Sequence, residues 1–256
     1  MSNLASTPDA FHDAYRSLEQ RMKARAEEDR DVFLPNVMPA GPVDYVLICM
    51  EPSLGLGAGA PDETRERIEA GSKNFLFSFE DFILHYSARA YLCGPAQTYY
   101  VTDFSKGAML VKVARAARDQ RYARWYPLLL EEIELVAAPN AGFVAVGRVV
   151  ARELQRRGFR RPLCEVMHYG GQAAKARKAG IAGQESSFEA FKATVSLRDI
   201  LAKAEEVLRS AHVPVGDQNR TLAKLARSEL TTSRKQLIFN YKVAFESFRT
   251  QLAACP

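Results

Sequence analysis

The sequence reads as an α/β protein: three layers, α/β/α, around a short, mostly parallel four-stranded sheet, with a helical extension at the C-terminus. Three observations predict this. Short apolar runs alternate with amphipathic segments, the pattern of a parallel sheet covered on both faces. Each run is almost continuously apolar, as strands buried on two faces are. Beyond about residue 187 the apolar positions fall only at helical spacing.

Phe11, Tyr15, Leu18 and Met22 recur at helical spacing, so residues 8–29 form the first helix. The proline-bearing PNVMPAGP leads into the first strand, 44–50. A long glycine-bearing loop, 51–74, follows, with DETRERIEAG as a short helix inside it. FLFSFEDFILHYSARAYL, 75–92, begins extended and turns helical, and QTYYVTD, 97–103, is the second strand. A basic segment then reaches RWYPLLLEEIELV, 124–136, a helix that turns Leu128, Leu129, Ile133 and Val136 inward. GFVAVG, 142–147, is the third strand, VVARELQRRG a helix stopped by Gly158, and LCEVMH, 163–168, the fourth strand. FEAFKATVSLRDILAKAEEVLRSA and a long helix near 221–252 complete the tail. The organisation expected is a lead-in over 1–40, a catalytic domain over 41–195 and a helical cap over 196–256.

The 256 residues suffice for one sizeable core, and 47% hydrophobic with 25% charged residues is an ordinary globular composition. No apolar run approaches the roughly 20 residues that cross a bilayer, so no membrane partner is expected. The N-terminus lacks an apolar signal core, which argues against export. Cys49, Cys93, Cys164 and Cys255 are too widely spaced for a zinc site or an iron–sulfur cluster, and they fit a reduced, cytoplasmic setting without metal or cofactor. The net charge of +5 permits a polyanionic partner. Arg115, Arg118, Arg121 and Arg124 recur every three residues; Arg156, Arg157, Arg160 and Arg161 cluster before a strand; Lys175, Arg177 and Lys178 follow another. Each group reads as a phosphate contact or as a solvated helix face.

Ligands of open parallel sheets sit beyond the carboxyl ends of the strands. Three of the four expected strands end in a residue suited to chemistry: Glu51, Asp103 and His168. Such a set suits departure of an anionic group from a sugar. A carboxylate stabilises the oxocarbenium-like cation or activates water, and a histidine hydrogen-bonds the leaving base. GxSxG is absent, and GAGA at 57–60 lacks the lysine and spacing of a nucleotide-binding loop.

On these residues the chain resembles the uracil-DNA glycosylase superfamily over roughly 40–195. Cys49-Met50-Glu51-Pro52-Ser53 stands where the family has its first motif, G-x-[DN]-P-[YG]. His168-Tyr169-Gly170-Gly171-Gln172 stands where the family has its histidine motif, and YYVTDFSKG and the ALG-like VAVG resemble the thermostable branch. That branch's cluster cysteines are not reproduced, so no cluster is expected.

The resemblance implies roles. Glu51 takes the water-activating or cation-stabilising position, and His168 supports the departing base. Phe77 stacks on the flipped base, with Phe75 and Phe79 as rivals. Gln172 is the wedge that fills the hole left in the duplex. Tyr169, Gly170 and Gly171 replace the phosphate-gripping pair, with Lys106, Lys175 and Arg177 as further DNA contacts; Cys49, Met50, Pro52 and Ser53 line the base pocket. Asp103 replaces the base-reading asparagine; as an ionised carboxylate it only accepts, which favours the amino-bearing edge of cytosine. Ser53 replaces a bulky tyrosine and leaves room at C5. The expected activity is a monofunctional glycosylase, monomeric, that excises a C5-modified cytosine from DNA, such as hydroxymethyl- or glucosyl-hydroxymethylcytosine. Repair of uracil or another deaminated base, a degenerate nucleic-acid binder and an unrelated α/β protein are the alternatives.

Overall fold

The computed structural model describes residues 8–54, 60–170 and 173–254. Along the chain lie α1 (Pro8–Glu28), β1 (Val32–Phe33), β2 (Val43–Cys49), α2 (Ala60–Glu69) and α3 (Phe79–Ser87), which runs into one π-helical turn, Ala88–Leu92. They are followed by β3 (Tyr99–Asp103), β4 (Gly107–Ala108), α4 (Val111–Val136), β5 (Ala137–Val146), α5 (Arg148–Arg156) and β6 (Leu163–Val166). Five helices finish the chain: α6 (Ala174–Ala179), α7 (Glu185–Lys192), α8 (Leu197–Ser210), α9 (Val215–Ala226) and α10 (Thr232–Ala253).

The protein is α/β, as its alternating pattern predicts. Four strands form one all-parallel sheet in the order β3-β2-β5-β6, so the strand order reverses at β2. A small antiparallel pair, β1 with β4, lies outside it and matches Val32 to Ala108 and Phe33 to Gly107. Two residues per strand carry too little periodicity to be legible in sequence.

Two further differences have local causes. The helix expected over 124–136 takes in the basic segment before it: α4 begins at Val111 and carries Pro127 inside it. A proline there removes one ladder hydrogen bond, but the helix continues because tertiary packing holds both halves. The tail helix near 221–252 is two helices, α9 and α10, and Thr231 starts the second by accepting from the Arg234 N–H.

The chain contacts divide into two compact units. One comprises Met1–Asn74 and Tyr100–Ala141. Its core joins α1 to α4: Leu18, Met22 and Ala26 pack with Trp125, whose indole N–H donates to Asp29 at 3.0 Å. Behind β3 a polar network is buried. Glu132 accepts from the Tyr100 hydroxyl at 2.7 Å, the Thr102 hydroxyl at 2.8 Å and the Lys106 ammonium at 2.8 Å. The Asn36 amide donates to Tyr100 and Thr102, and the hydroxyls of Tyr15 and Tyr100 meet at 2.8 Å.

The second unit comprises Phe75–Tyr99 and Gly142–Pro256. β5 and β6 pair in parallel from Phe143 opposite Leu163 to Val146 opposite Val166. Helix α10 buries Leu237, Ile238, Phe239, Tyr241, Phe245 and Phe248, and the Tyr241 hydroxyl donates to the Met167 carbonyl at 3.0 Å. Ser78 with Asp81, and Ser196 with Asp199, form capping boxes that start α3 and α8. Cys49 and Cys93 are buried, whereas Cys164 on β6 is only half-buried.

Candidate functional site

Glu51 lies two residues beyond β2, the strand at which the sheet order reverses and where open parallel sheets place ligands. Parallel pairing continues past the strand end. The Phe104 N–H donates to the Cys49 carbonyl at 2.9 Å and the Ser105 N–H to the Met50 carbonyl at 3.3 Å. Ser53 bridges to Met109, and the Leu54 N–H reaches the Met109 carbonyl at 3.0 Å. Cys49–Leu54 is therefore a laced edge, with Pro52 buried and Ser53 exposed.

The Glu51 side chain is 6% exposed and both its oxygens are engaged. Arg118 Nη2 donates to Oε1 at 2.5 Å, and Arg118 Nε lies 3.2 and 3.3 Å from the two oxygens. The Tyr122 hydroxyl donates to Oε2. Arg118 and Tyr122 are four residues apart on α4, one helical turn, so a single helix face grips the carboxylate. Phe104 stacks on Tyr122 with centroids 4.1 Å apart and fixes the phenol. Burial, then the Glu51 charge, raises the phenol pKa well above its ordinary value, so Tyr122 stays a donor.

Asp103 ends β3 and is 3% exposed. Asn74 Nδ2 donates to Asp103 Oδ2, and Lys106 Nζ donates to the Asp103 backbone carbonyl at 3.1 Å. Burial pushes the Asp103 carboxyl up to about 8, and the Glu51 and Glu132 charges add to it against Lys106 and Asn74. Near neutral pH the acid form dominates. The accepting-only reading of Asp103 holds for its ionised form; as an acid it offers one O–H donor and keeps acceptor capacity.

His168 lies in the second unit, two residues beyond β6. Its Nδ1 accepts the Gly170 N–H at 2.9 Å, which leaves Nε2 as the donor of a neutral ring, and Tyr169 stacks on the imidazole at 4.9 Å. Two glycines make room for it. A Cβ at Gly170 would stand 2.9 Å from His168 Nδ1, and one at Gly147, where φ is +107°, would stand 3.3 Å from the His168 Cβ.

The Phe75–Phe79 run is ordered by two groups that the sequence reading passed over. The Asp81 carboxylate accepts from the Phe77 and Ser78 N–H groups. His85 is buried between the Phe75 carbonyl, 3.2 Å from Nε2, and the Tyr99 hydroxyl, 2.9 Å from Nδ1. Burial depresses the His85 pKa to about 4. Phe75 and Phe79 are buried and Phe77 is half-buried.

Several cations expected to meet phosphate face inward instead. Lys106 is 3% exposed, and its ammonium is spent on Thr102, Asp103 and Glu132. Arg177 is 5% exposed and donates to the Tyr169 and Gly170 carbonyls and to Ser233. Within the three-residue ladder, Arg118 pairs with Glu51, Arg121 with buried Asp31 and Arg124 with Asp29. Lys175 and Lys178 are exposed. Gly171 and Gln172, the expected wedge, lie outside the described residues, and nothing is described of the Arg115 side chain.

Arg118, Tyr122 and Asn74 are the site residues that sequence reasoning missed. Arg118 stood out only as part of a charge run, and Tyr122, one turn further on, is the signal that a carboxylate rather than a phosphate is gripped. Asn74 carries no motif. Among the described residues no three His, Cys, Asp or Glu side chains gather as metal ligands, and no helix is long and apolar enough to cross a membrane. Comparison with family models, curated proteins and solved structures gives no match.

Proposed function

We propose that the chain is a monofunctional DNA glycosylase that hydrolyses the N-glycosidic bond of a C5-modified cytosine. One observation carries the reading: two carboxyl groups at neighbouring strand ends sit in opposite environments. Glu51 is gripped by a guanidinium and a phenol, and burial drives Asp103 toward the acid form.

With both oxygens occupied, Glu51 suits a fixed negative charge beside an oxocarbenium-like sugar better than a base that collects a proton. The C1′–N1 bond breaks and its electron pair leaves with the base; water adds to C1′, and the proton it gives up balances the one taken up by the departed base anion. The His168 Nε2–H is the donor that the resemblance assigns to the leaving base. The Asp103 acid complements cytosine, its O–H donating to N3 and its carbonyl accepting from the N4 amino group. Because Asp103 is closed to bulk water, a base reaches it only when neighbouring side chains part.

A second reading, an N-glycosyl hydrolase of a free nucleoside or nucleotide, is favoured by the inward commitment of Lys106, Arg121 and Arg177 and by the pairing of Arg118 with Glu51. That commitment leaves less charge for a phosphate backbone.

Base release decides between them. Matched duplexes would carry uracil, cytosine, 5-hydroxymethylcytosine or its glucosylated form, beside the free nucleosides, with Glu51→Gln as control. Abasic sites formed only at a modified cytosine, and lost in the control, are the expected result. Release of uracil would move the protein to repair, release only from free nucleosides would favour the second reading, and no release at all would overturn both.

A further inference from the structure

Cytosine and uracil differ at their pairing edge by an exchange of donor and acceptor: N3 accepts and N4 donates in cytosine, N3 donates and O4 accepts in uracil. A carboxylic acid has one donor and one acceptor, so it complements either base, depending on which of its oxygens holds the proton. An Asp103 acid free to move its proton between oxygens would not discriminate. The structure makes the two oxygens unlike.

We propose that Asn74 is the specificity-determining partner of Asp103, holding Oδ2 as the accepting oxygen so that the carboxyl presents one fixed order of donor and acceptor, which for the proposed substrate is the order that the cytosine edge needs. The Asn74 amide donates to Oδ2. An oxygen that accepts an N–H while carrying its own proton is the poorer acceptor, so Oδ2 becomes the carbonyl and Oδ1 the hydroxyl. Both residues are buried, Asn74 at 7% and Asp103 at 3%, so water does not scramble the arrangement. The frame is held on both sides. The Asn74 backbone N–H donates to the Pro35 carbonyl at 2.8 Å, and the Asp103 carbonyl accepts from Lys106 at 3.1 Å. The groups bearing on the carboxyl are Lys106 and Asn74, which favour its anion, and Glu51 and Glu132, which favour its acid form.

The inference rests on the glycosylase reading for its ligand but not for its chemistry, and the test separates the two. Oligonucleotides carrying 5-hydroxymethylcytosine or 5-hydroxymethyluracil share a substituent and differ only at the pairing edge. Their binding would be measured on the Glu51→Gln background, alone and combined with Asn74→Ala or Asn74→Leu; Leu keeps the bulk if Ala disturbs folding. In parallel, isotope-edited infrared spectroscopy of the full chain would follow the Asp103 carbonyl stretch, assigned by its loss in Asp103→Asn. We expect a preference of about tenfold or more for the cytosine form, collapsing toward parity in both Asn74 variants, together with a shift of the stretch. An unshifted stretch in both variants, or a preference that survives them, would overturn the role of Asn74. Failure of either oligonucleotide to bind the Glu51→Gln chain, with the stretch still shifting, would overturn the glycosylase reading and the specificity role, leaving only the hydrogen bond.

Discussion

Arg118 and Glu51 form a two-point contact, Nη2 to Oε1 at 2.5 Å with Nε 3.2 and 3.3 Å from the two oxygens, across 67 residues of sequence. The pair, with Tyr122, turns the end of a buried strand into a held negative charge. Removing one partner strands the other in low dielectric, which costs more than the pair itself contributes. Arg118→Ala is therefore expected to destabilise by about 2 kcal/mol, the partly exposed guanidinium keeping this below the fully buried case. Tyr122→Phe should cost about 1.5 kcal/mol. Urea unfolding measures both, and Arg118→Ala should also lower base release, since the anion loses its orientation.

The acid form of Asp103 makes stability fall as pH rises. Its folded value, about 8, lies above the reference 3.8, so the native state binds more protons than the unfolded chain between those limits. The contribution is complete below 3.8 and is lost as pH rises through about 8. Thermal unfolding across this range should show Asp103→Asn with a flatter decline than the parent.

His85 acts in the opposite direction. Its folded value, about 4, lies below the reference 6.5, so the unfolded chain takes up the proton first. Stability from this site is present above 6.5 and is lost as pH falls toward 4. His85→Gln should cost stability at neutral pH yet lose the steep acid limb; an unchanged limb would mean that another group carries it.

Lys106 and Glu132, 3% and 1% exposed, form a buried ion pair. Lys106→Met alone is expected to cost about 3–5 kcal/mol, and Lys106→Met with Glu132→Leu to recover much of it. Because the ammonium never reaches the surface, the proposed function expects a slope of DNA affinity against salt that does not change in the double variant. A slope reduced by about one would restore Lys106 to the phosphate contacts.

Gly170→Ala tests the seat of His168. The added carbon would stand 2.9 Å from Nδ1, so the ring must shift and its hydrogen bond to the backbone must weaken. Base release should fall on the order of tenfold to a hundredfold while the melting temperature changes little.

What was legible in the sequence was what repeats. The apolar runs at 44–50 and 142–147 gave β2 and the end of β5, and the spacing of Phe11, Tyr15, Leu18 and Met22 gave α1, because strands and helices average a pattern over many residues. The strand-end carboxyls were legible because the apolar run of β2 stops just before Glu51 and β3 ends in Asp103. The partners were not. Asn74 reaches Asp103 across 29 residues and Arg118 reaches Glu51 across 67, and no periodicity encodes a meeting that only tertiary folding creates. The arginine ladder was ambiguous for the same reason: three cations at helical spacing look alike until Glu51, Asp31 and Asp29 are found opposite them.

Helix α4 presents Arg118, Arg121, Tyr122, Trp125 and Glu132 to four partners, Glu51, Asp31, Asp29 and Lys106, within four turns. Each residue of an α-helix advances the face by about 100°. Inserting or deleting one residue between Arg118 and Glu132 would swing one end of that row out of register with the other, whatever residue was chosen. The stretch therefore tolerates change in letter at its outward positions but not in length. Length variation in relatives should accumulate on either side of it and stop at its borders.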